Sequence, residues 1–246
     1  MDSAPPIPPS SPPPWLPFES RRRARDEKRE AVLRTAVQLF LEQGYHRVTL
    51  NEVAERLNIT KPALYNYFRS KDEILFECWS MGAELVESVI VEINAGGGSG
   101  LARLRRLIHA YAELMATDFG ASLVRFDLRD LADKNARVAW AAKRRIDATF
   151  RRYIAAGIAD GSIKRRDPKL AAFAIAGSLN WIGHWYRRDG GLSPSEIADQ
   201  FTNLLTEGLA ASTGRQRITK KTPSTPKRRD TGRKATGKKR TGGGSR

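Results

Sequence analysis

The 246-residue chain has little of what enzymes use. It holds one cysteine, Cys78, and three scattered histidines, His46, His109 and His184. No HExxH, no CxxC pair and no nucleophile elbow is present, so metallohydrolase, dithiol and serine-hydrolase chemistry lack their signatures. Carboxylate pairs such as Asp127 and Asp130 read as ordinary helix surface. Catalysis is therefore not expected, nor is any cofactor or metal. No apolar run approaches the ~18 residues of a membrane span, and no basic start leads into an apolar segment as in a signal peptide. A lone cysteine in such a chain fits a reducing compartment, so a cytoplasmic, nucleoid-associated protein with no membrane partner is expected. Strand-like alternation is also missing, which leaves an all-α chain.

What the chain has in excess is positive charge, and it is unevenly placed. Lys and Arg number 43 against 27 Asp and Glu, a net of +16. Residues 214–246 hold thirteen basic side chains and one acid, and residues 21–29 hold six and two. The stretch between, residues 30–213, carries 24 basic and 22 acidic residues, so the body is nearly neutral despite the high overall charge. Residues 1–18 carry eight of the 13 prolines and read as a disordered leader, with a polyproline ligand as the weaker alternative. Arg21, Arg22, Arg23 and Arg25 are placed for a flexible arm toward a minor groove or phosphates. The low-complexity tail suits non-specific phosphate attraction or, alternatively, plain solubilisation. Four segments are expected: a leader over 1–20, a DNA-binding domain with basic arm over 21–76, a regulatory domain over 77–212, and a basic tail over 213–246.

Residues Thr49 to Leu75, TLNEVAERLNITKPALYNYFRSKDEIL, carry the densest local signals. Thr49 and Glu52 have capping-box spacing and start one helix, with Val53, Ala54 and Leu57 on its apolar face. Asn58 falls where the chain must reverse, and Asn tolerates positive φ well. Thr60 is a second N-cap candidate, with Pro62 harmless in the first turn. Ser70 and Glu73 repeat the capping spacing for the next helix. This is helix-turn-helix spacing, whose second helix can enter a DNA major groove. Leu64 and Phe68 would pack inward, leaving Lys61, Ala63, Asn66 and Tyr67 outward and Tyr65 near the boundary. Asn reads adenine, Lys reaches guanine or phosphate, and a Tyr hydroxyl suits a phosphate oxygen. A helical hairpin inside a larger bundle is the alternative that spacing alone leaves open.

With TLNEVAERLNITKPA before it, LYNYFRSKDEIL closely resembles the DNA-binding domain of TetR-family transcriptional regulators. The upstream REAVLRTAVQLFLEQGYHRVTL resembles that family's first helix, with its exit at Gly44 and Tyr45. Asn58 stands where many members have Gly. The resemblance implies base-reading roles for Asn51, Lys61, Pro62, Ala63 and Asn66. It places Thr49, Tyr65, Tyr67 and Lys71 at phosphate-clamping positions, with Thr60 capping at the same surface. It implies nine helices, three in the head and six in a ligand-binding and dimerisation bundle, and double-stranded operator DNA as partner.

Helices are expected at about 71–94, 101–117, 121–131, 134–159, 168–187 and 195–211, with AGGGSG at 95–100 as a flexible joint. Ser193 and Glu196 give a further capping box around Pro194. Ala171, Ile175, Ser178 and Leu179, with Ile197, Phe201, Leu204 and Leu205, form apolar stripes on the last two helices. The resemblance implies that these helices form an isologous homodimer interface; the alternative is that the stripes face their own core. Tyr111, Met115, Phe126, Trp140, Trp181, His184 and Trp185 are the candidate ligand residues, each alternatively core. The segment from Gly177 to Phe201 looks like relatives that respond to acyl-coenzyme A thioesters or lipid catabolites. A small hydrophobic inducer, an acyl-CoA or steroid-derived thioester, is the expected ligand, with Arg144, Arg145, Arg151 and Arg152 available for its phosphates. A repressor released by that inducer is the favoured reading; an architectural, nucleoid-type protein acting through the basic tail is the alternative.

Overall fold

The computed structural model describes residues 18–207. Among these residues lie nine α-helices, one 3₁₀ turn and no strand, the all-α order expected. The helices are α1 (Phe18–Gln43), α2 (Leu50–Arg56), α3 (Lys61–Tyr65), α4 (Lys71–Ala95), α5 (Gly100–Met115), α6 (Asp118–Arg125), α7 (Asp133–Ala159), α8 (Pro168–Trp185) and α9 (Pro194–Glu207). The leader and basic tail lie outside the described residues.

The head closes around Val32, Ala36, Val37, Leu39 and Phe40 of α1, Val53 and Ala54 of α2, and Leu64 and Phe68 at α3, all buried. Burying one such large side chain stabilises by about 1.5–3 kcal/mol, which is how helices as short as α2 and α3 persist. α4 then runs out of the head for 25 residues, about 37 Å at 1.5 Å per residue. In the body α5 is central, packed by α4, α7, α8 and α9, while α6 sits against α4, α8 and the head helix α1.

Four local expectations change. The basic arm is not extended, because α1 begins at Phe18 and takes in Arg22, Arg23 and Arg25. The run RRRARDEKRE consists largely of good helix formers with opposite charges four apart, which favours continuing the helix. The helix expected at 121–131 ends at Arg125; Phe126 is extended and Asp127 caps a 3₁₀ turn at Leu128–Asp130. The Gly-rich joint is built rather than loose. Gly97 and Gly98 turn with positive φ, Ser99 caps α5, and Gly100 packs so tightly on Gly157 that a Cβ would collide with its backbone. The apolar stripes also divide: Ile175, Leu179 and Ile197 face their own core, and Ala171, Phe201 and Leu205 are packed partly against it. Only Leu204 of that set, on α9, stands fully out; α8 is apolar on a second, exposed face that carries Leu170, Phe173, Trp181 and Trp185, and periodicity cannot say which of two apolar faces is inside.

Candidate nucleic-acid interface and ligand cavity

The helix-turn-helix is held by bonds between near neighbours. Thr49 Oγ1 accepts from the Glu52 N–H at 3.3 Å, while the Glu52 carboxylate accepts from the Thr49 N–H at 2.6 Å and from its hydroxyl at 2.9 Å. Those bonds, the backbone one first, hold the Glu52 carboxyl below its ordinary pKa. Asn58 takes φ 54°, and the turn closes by Asn58 N–H to Glu55 O and Ile59 N–H to Ala54 O, both 3.0 Å. That pair of bonds is a Schellman stop, with Asn supplying the left-handed residue. Thr60 Oγ1 accepts from Ala63 N at 3.3 Å and opens α3 with Pro62 in its first turn.

The polar ridge that results is made of Asn51, Thr60, Lys61, Pro62, Tyr65 and Asn66, all exposed. Ala63 is half-buried beside them, so only part of its methyl is offered. Tyr65 and Tyr67 trade the places expected of them: Tyr65 points out, and Tyr67 packs partly against the core next to Phe68. The reason is register, since α3 ends at Tyr65 and Asn66 and Tyr67 form a turn that rotates Tyr67 inward. Thr49 keeps both its N–H and its hydroxyl in the capping box. Lys71 lies 4.2 Å over the Tyr45 ring and 3.4 Å from His46 O; burial lowers its pKa against the opposing pull of Glu52 and Asp130. Two further cations that the motif does not mark, Arg47 and Arg69, join Arg25 of the basic run at this surface. Arg47 is exposed in the turn before α2, and Arg69 is exposed after α3. Arg25 reaches Asn66 O at 3.4 Å from α1.

Head and body meet through a second set of polar contacts. Asp72, next to Lys71, accepts from Ala132 N at 2.7 Å and from Asn135 Nδ2 at 3.0 Å, so a head carboxylate holds the start of α7. His46 Nε2 lies 3.1 Å from Asp130 Oδ1. Asp118 of α6 receives Gln38 of α1 at 3.2 Å and Arg188 at 2.7 Å.

Between α5, α7 and α8 the body opens a cavity of about 420 Å³. Tyr111, Ile146 and Phe150 give it an apolar floor, with Tyr111 and Phe150 edge to face at 5.6 Å. Trp140, Lys143 and Arg144 rim it on α7, facing Phe173, Gly177 and Asn180 on α8. Asp147 of α7 also lines the cavity, its carboxylate paired with Arg151; Arg145 pairs with Glu87, whereas Arg144 has no side-chain partner among the described residues. Of the seven ligand candidates, Tyr111 and Trp140 line this cavity. Met115 borders a separate, polar cleft between α1 and α6, and Phe126 lines a groove beside Phe40 and Tyr45. Trp181, His184 and Trp185 lie on the outer face of α8, with Trp181 stacked on His184 at 5.0 Å. Their face adjoins Leu170, Phe173 and Gly177 at intervals of three and four residues, a continuous exposed apolar stripe.

The one cysteine is no nucleophile. Cys78 is buried, burial pushes its thiol up, and its Sγ faces Leu33 O at 3.5 Å. No cluster of three metal-ligating side chains occurs among the described residues, and no helix among them is long and apolar enough to cross a membrane.

A short polar helix-turn-helix on a closed head, joined by one long helix to a body with an open apolar cavity, is the arrangement of a DNA-binding transcriptional regulator. Two sequence profiles, together covering well over half of the chain, make the class specific. Residues 32–78 match bacterial regulatory proteins of the tetR family, and residues 97–209 match the Tetracyclin repressor-like C-terminal domain. The chain belongs to the TetR family. It is 25% identical over 190 residues to the HTH-type transcriptional repressor KstR2 of Rhodococcus jostii, covering 75% of this chain and 92% of that protein. The ketosteroid transcriptional regulator KstR2 of Mycobacterium tuberculosis has the same fold, with a TM-score of 0.70 at 20% identity over 75% of this chain and 96% of that one. So does AibR, solved in complex with isovaleryl coenzyme A and operator DNA, at a TM-score of 0.64 and 23% identity over 72% of this chain and 97% of its own.

Proposed function

We propose that this protein is a homodimeric repressor that binds a two-fold operator through α2 and α3 and is released by an acyl-coenzyme A-like thioester entering the α7–α8 cavity. The observation that carries the ligand class is the cavity's composition: an apolar floor with Lys143 and the unpaired Arg144 at its mouth. An apolar acyl group suits that floor, and phosphates suit that rim. The isovaleryl coenzyme A held by AibR supports the same class. A second copy is the proposed occupant of the stripe formed by Leu170, Phe173, Gly177, Trp181 and Trp185 on α8, with Leu204 on α9. A two-fold pairing there would present two recognition helices to half-sites about 34–36 Å apart.

Release follows from differential affinity. Six cavity residues lie on α7, from Trp140 to Phe150, and the same helix is held at its start by Asp72 of the head. A ligand that prefers a shifted α7 would move Asp72 and with it Lys71 and α4, changing the spacing of the heads. Titrating coenzyme A thioesters of increasing chain length against a fluorescent operator duplex tests the proposal. Release by a thioester but not by free coenzyme A supports it, and indifference to every thioester would sink it.

A further inference from the structure

The floor of the α7–α8 cavity contains one polar pair in an apolar setting. Tyr111 on α5 is buried, and its hydroxyl donates to Asn180 Oδ1 on α8 at 2.9 Å. Burial raises the Tyr111 phenol above its ordinary pKa, so the hydroxyl keeps its proton and remains a donor. Asn180 is its one acceptor among the described residues, which settles how the amide is turned: oxygen to Tyr111, nitrogen away from it. The one carboxylate that lines the cavity, Asp147, is bonded to Arg151, and the Asn180 Nδ2 donors meet no acceptor among the described residues. Gly177 leaves open space beside them, since a Cβ there would meet nothing within 4 Å. An amide donor on an apolar wall is costly to dehydrate unless an acceptor replaces the lost water.

We infer that Asn180 is the specificity-determining residue of this cavity, its Nδ2 donating to a carbonyl oxygen on the ligand, with Tyr111 as the positioning residue that fixes the amide. The inference rests on the α7–α8 cavity being the effector site. It narrows the ligand from an apolar molecule with an anionic end to one with a carbonyl between the two, as in a thioester. The acyl chain lies on Ile146 and Phe150, the carbonyl meets Asn180, and the phosphates remain at Lys143 and Arg144 on the mouth.

Two probes separate this from the underlying reading: hexanoyl-coenzyme A, and hexyl-coenzyme A thioether, in which a CH₂ replaces the carbonyl. Binding of each to the full chain is measured by calorimetry, with operator affinity without ligand as the control for intact folding. The wild type should prefer the thioester by about tenfold, the worth of one neutral hydrogen bond. Asn180→Leu should erase that preference, and Asn180→Asp, which offers only acceptors, should reverse it. Tyr111→Phe should diminish it by freeing the amide to turn, an effect that a purely structural tyrosine would not have on the ratio of two ligands. Ala176→Leu, which adds bulk to the cavity wall, should weaken both probes together. If the wild type binds both probes equally and Ala176→Leu weakens them, the role of Asn180 is overturned while the cavity reading stands. If neither probe binds, or Ala176→Leu leaves both unaffected, the cavity reading falls and the role of Asn180 with it.

Discussion

In the head, the bonds that define the reading surface join residues three to five positions apart: Thr49 to Glu52, Ile59 to Ala54, Thr60 to Ala63 and Ser70 to Glu73. The bonds that define the cavity and its braces join residues many dozens of positions apart. Tyr111 and Asn180 are 69 positions apart, Asp72 and Asn135 are 63, and Arg105 and Asn203 are 98. The turn and caps of the head are thus local devices, braced by a few longer contacts such as Arg25 to Asn66 and Lys71 to His46. The body is a long-range one, where a change on any helix can reshape the cavity.

The largest effect should come from breaking the body while sparing the head. Trp181→Glu combined with Phe173→Glu puts charge in the proposed dimer stripe; sedimentation should show a monomer, and operator affinity should fall by about 10²–10⁴-fold as two linked heads become one. A protein that stays dimeric with both changes would refute the assignment of that face. The converse break touches only the head. Lys61→Ala or Tyr65→Ala should cost roughly ten- to a hundredfold in operator binding, with thermal stability and thioester binding unchanged. Removing residues 213–246 should instead mainly flatten the salt dependence of DNA binding.

A subtler break severs the link between the two regions. Asn135→Ala removes one of the two bonds from the start of α7 to Asp72 and should keep both operator and ligand affinity. The release caused by ligand should weaken by about two- to thirtyfold, the range of coupling energies carried by single residues. Unchanged release would show that α7 does not transmit through Asp72. The smallest effect concerns pH. The Glu52 carboxyl titrates below its ordinary 4.5 in the folded head. Its cap is therefore fully effective above the unfolded value and is lost as the pH falls through the lower, folded one. Glu52→Gln should flatten the acid limb of the head's unfolding curve slightly while leaving the body's behaviour as it was.

The sequence was most legible where its signals were local. Three capping spacings, Asn58 at the turn and Pro62 in the first turn were enough to place α2, α3 and the start of α4. They did not reveal that the basic run before Arg29 continues α1, because a charge-rich helix and a charge-rich arm share a composition. Nor did they orient Tyr65 and Tyr67, whose exposure hangs on α3 stopping one residue before Asn66. In the body, aromatic side chains could be recognised as candidates but not sorted. Tyr111 lies in the cavity wall, Met115 and Phe126 line other clefts, and Trp181 and Trp185 stand outside on α8.

The amino-acid sequence by itself determined the helical class, the helix order and the DNA-reading motif, since capping, turn residues and helical periodicity act over one or two turns. Tertiary structure alone decided which face of α8 is inside, which arginine is left unpaired at the cavity mouth, and that Asn180 is turned by Tyr111. Each of those depends on a partner dozens of positions away, and periodicity within one helix carries no record of which neighbour will cover it.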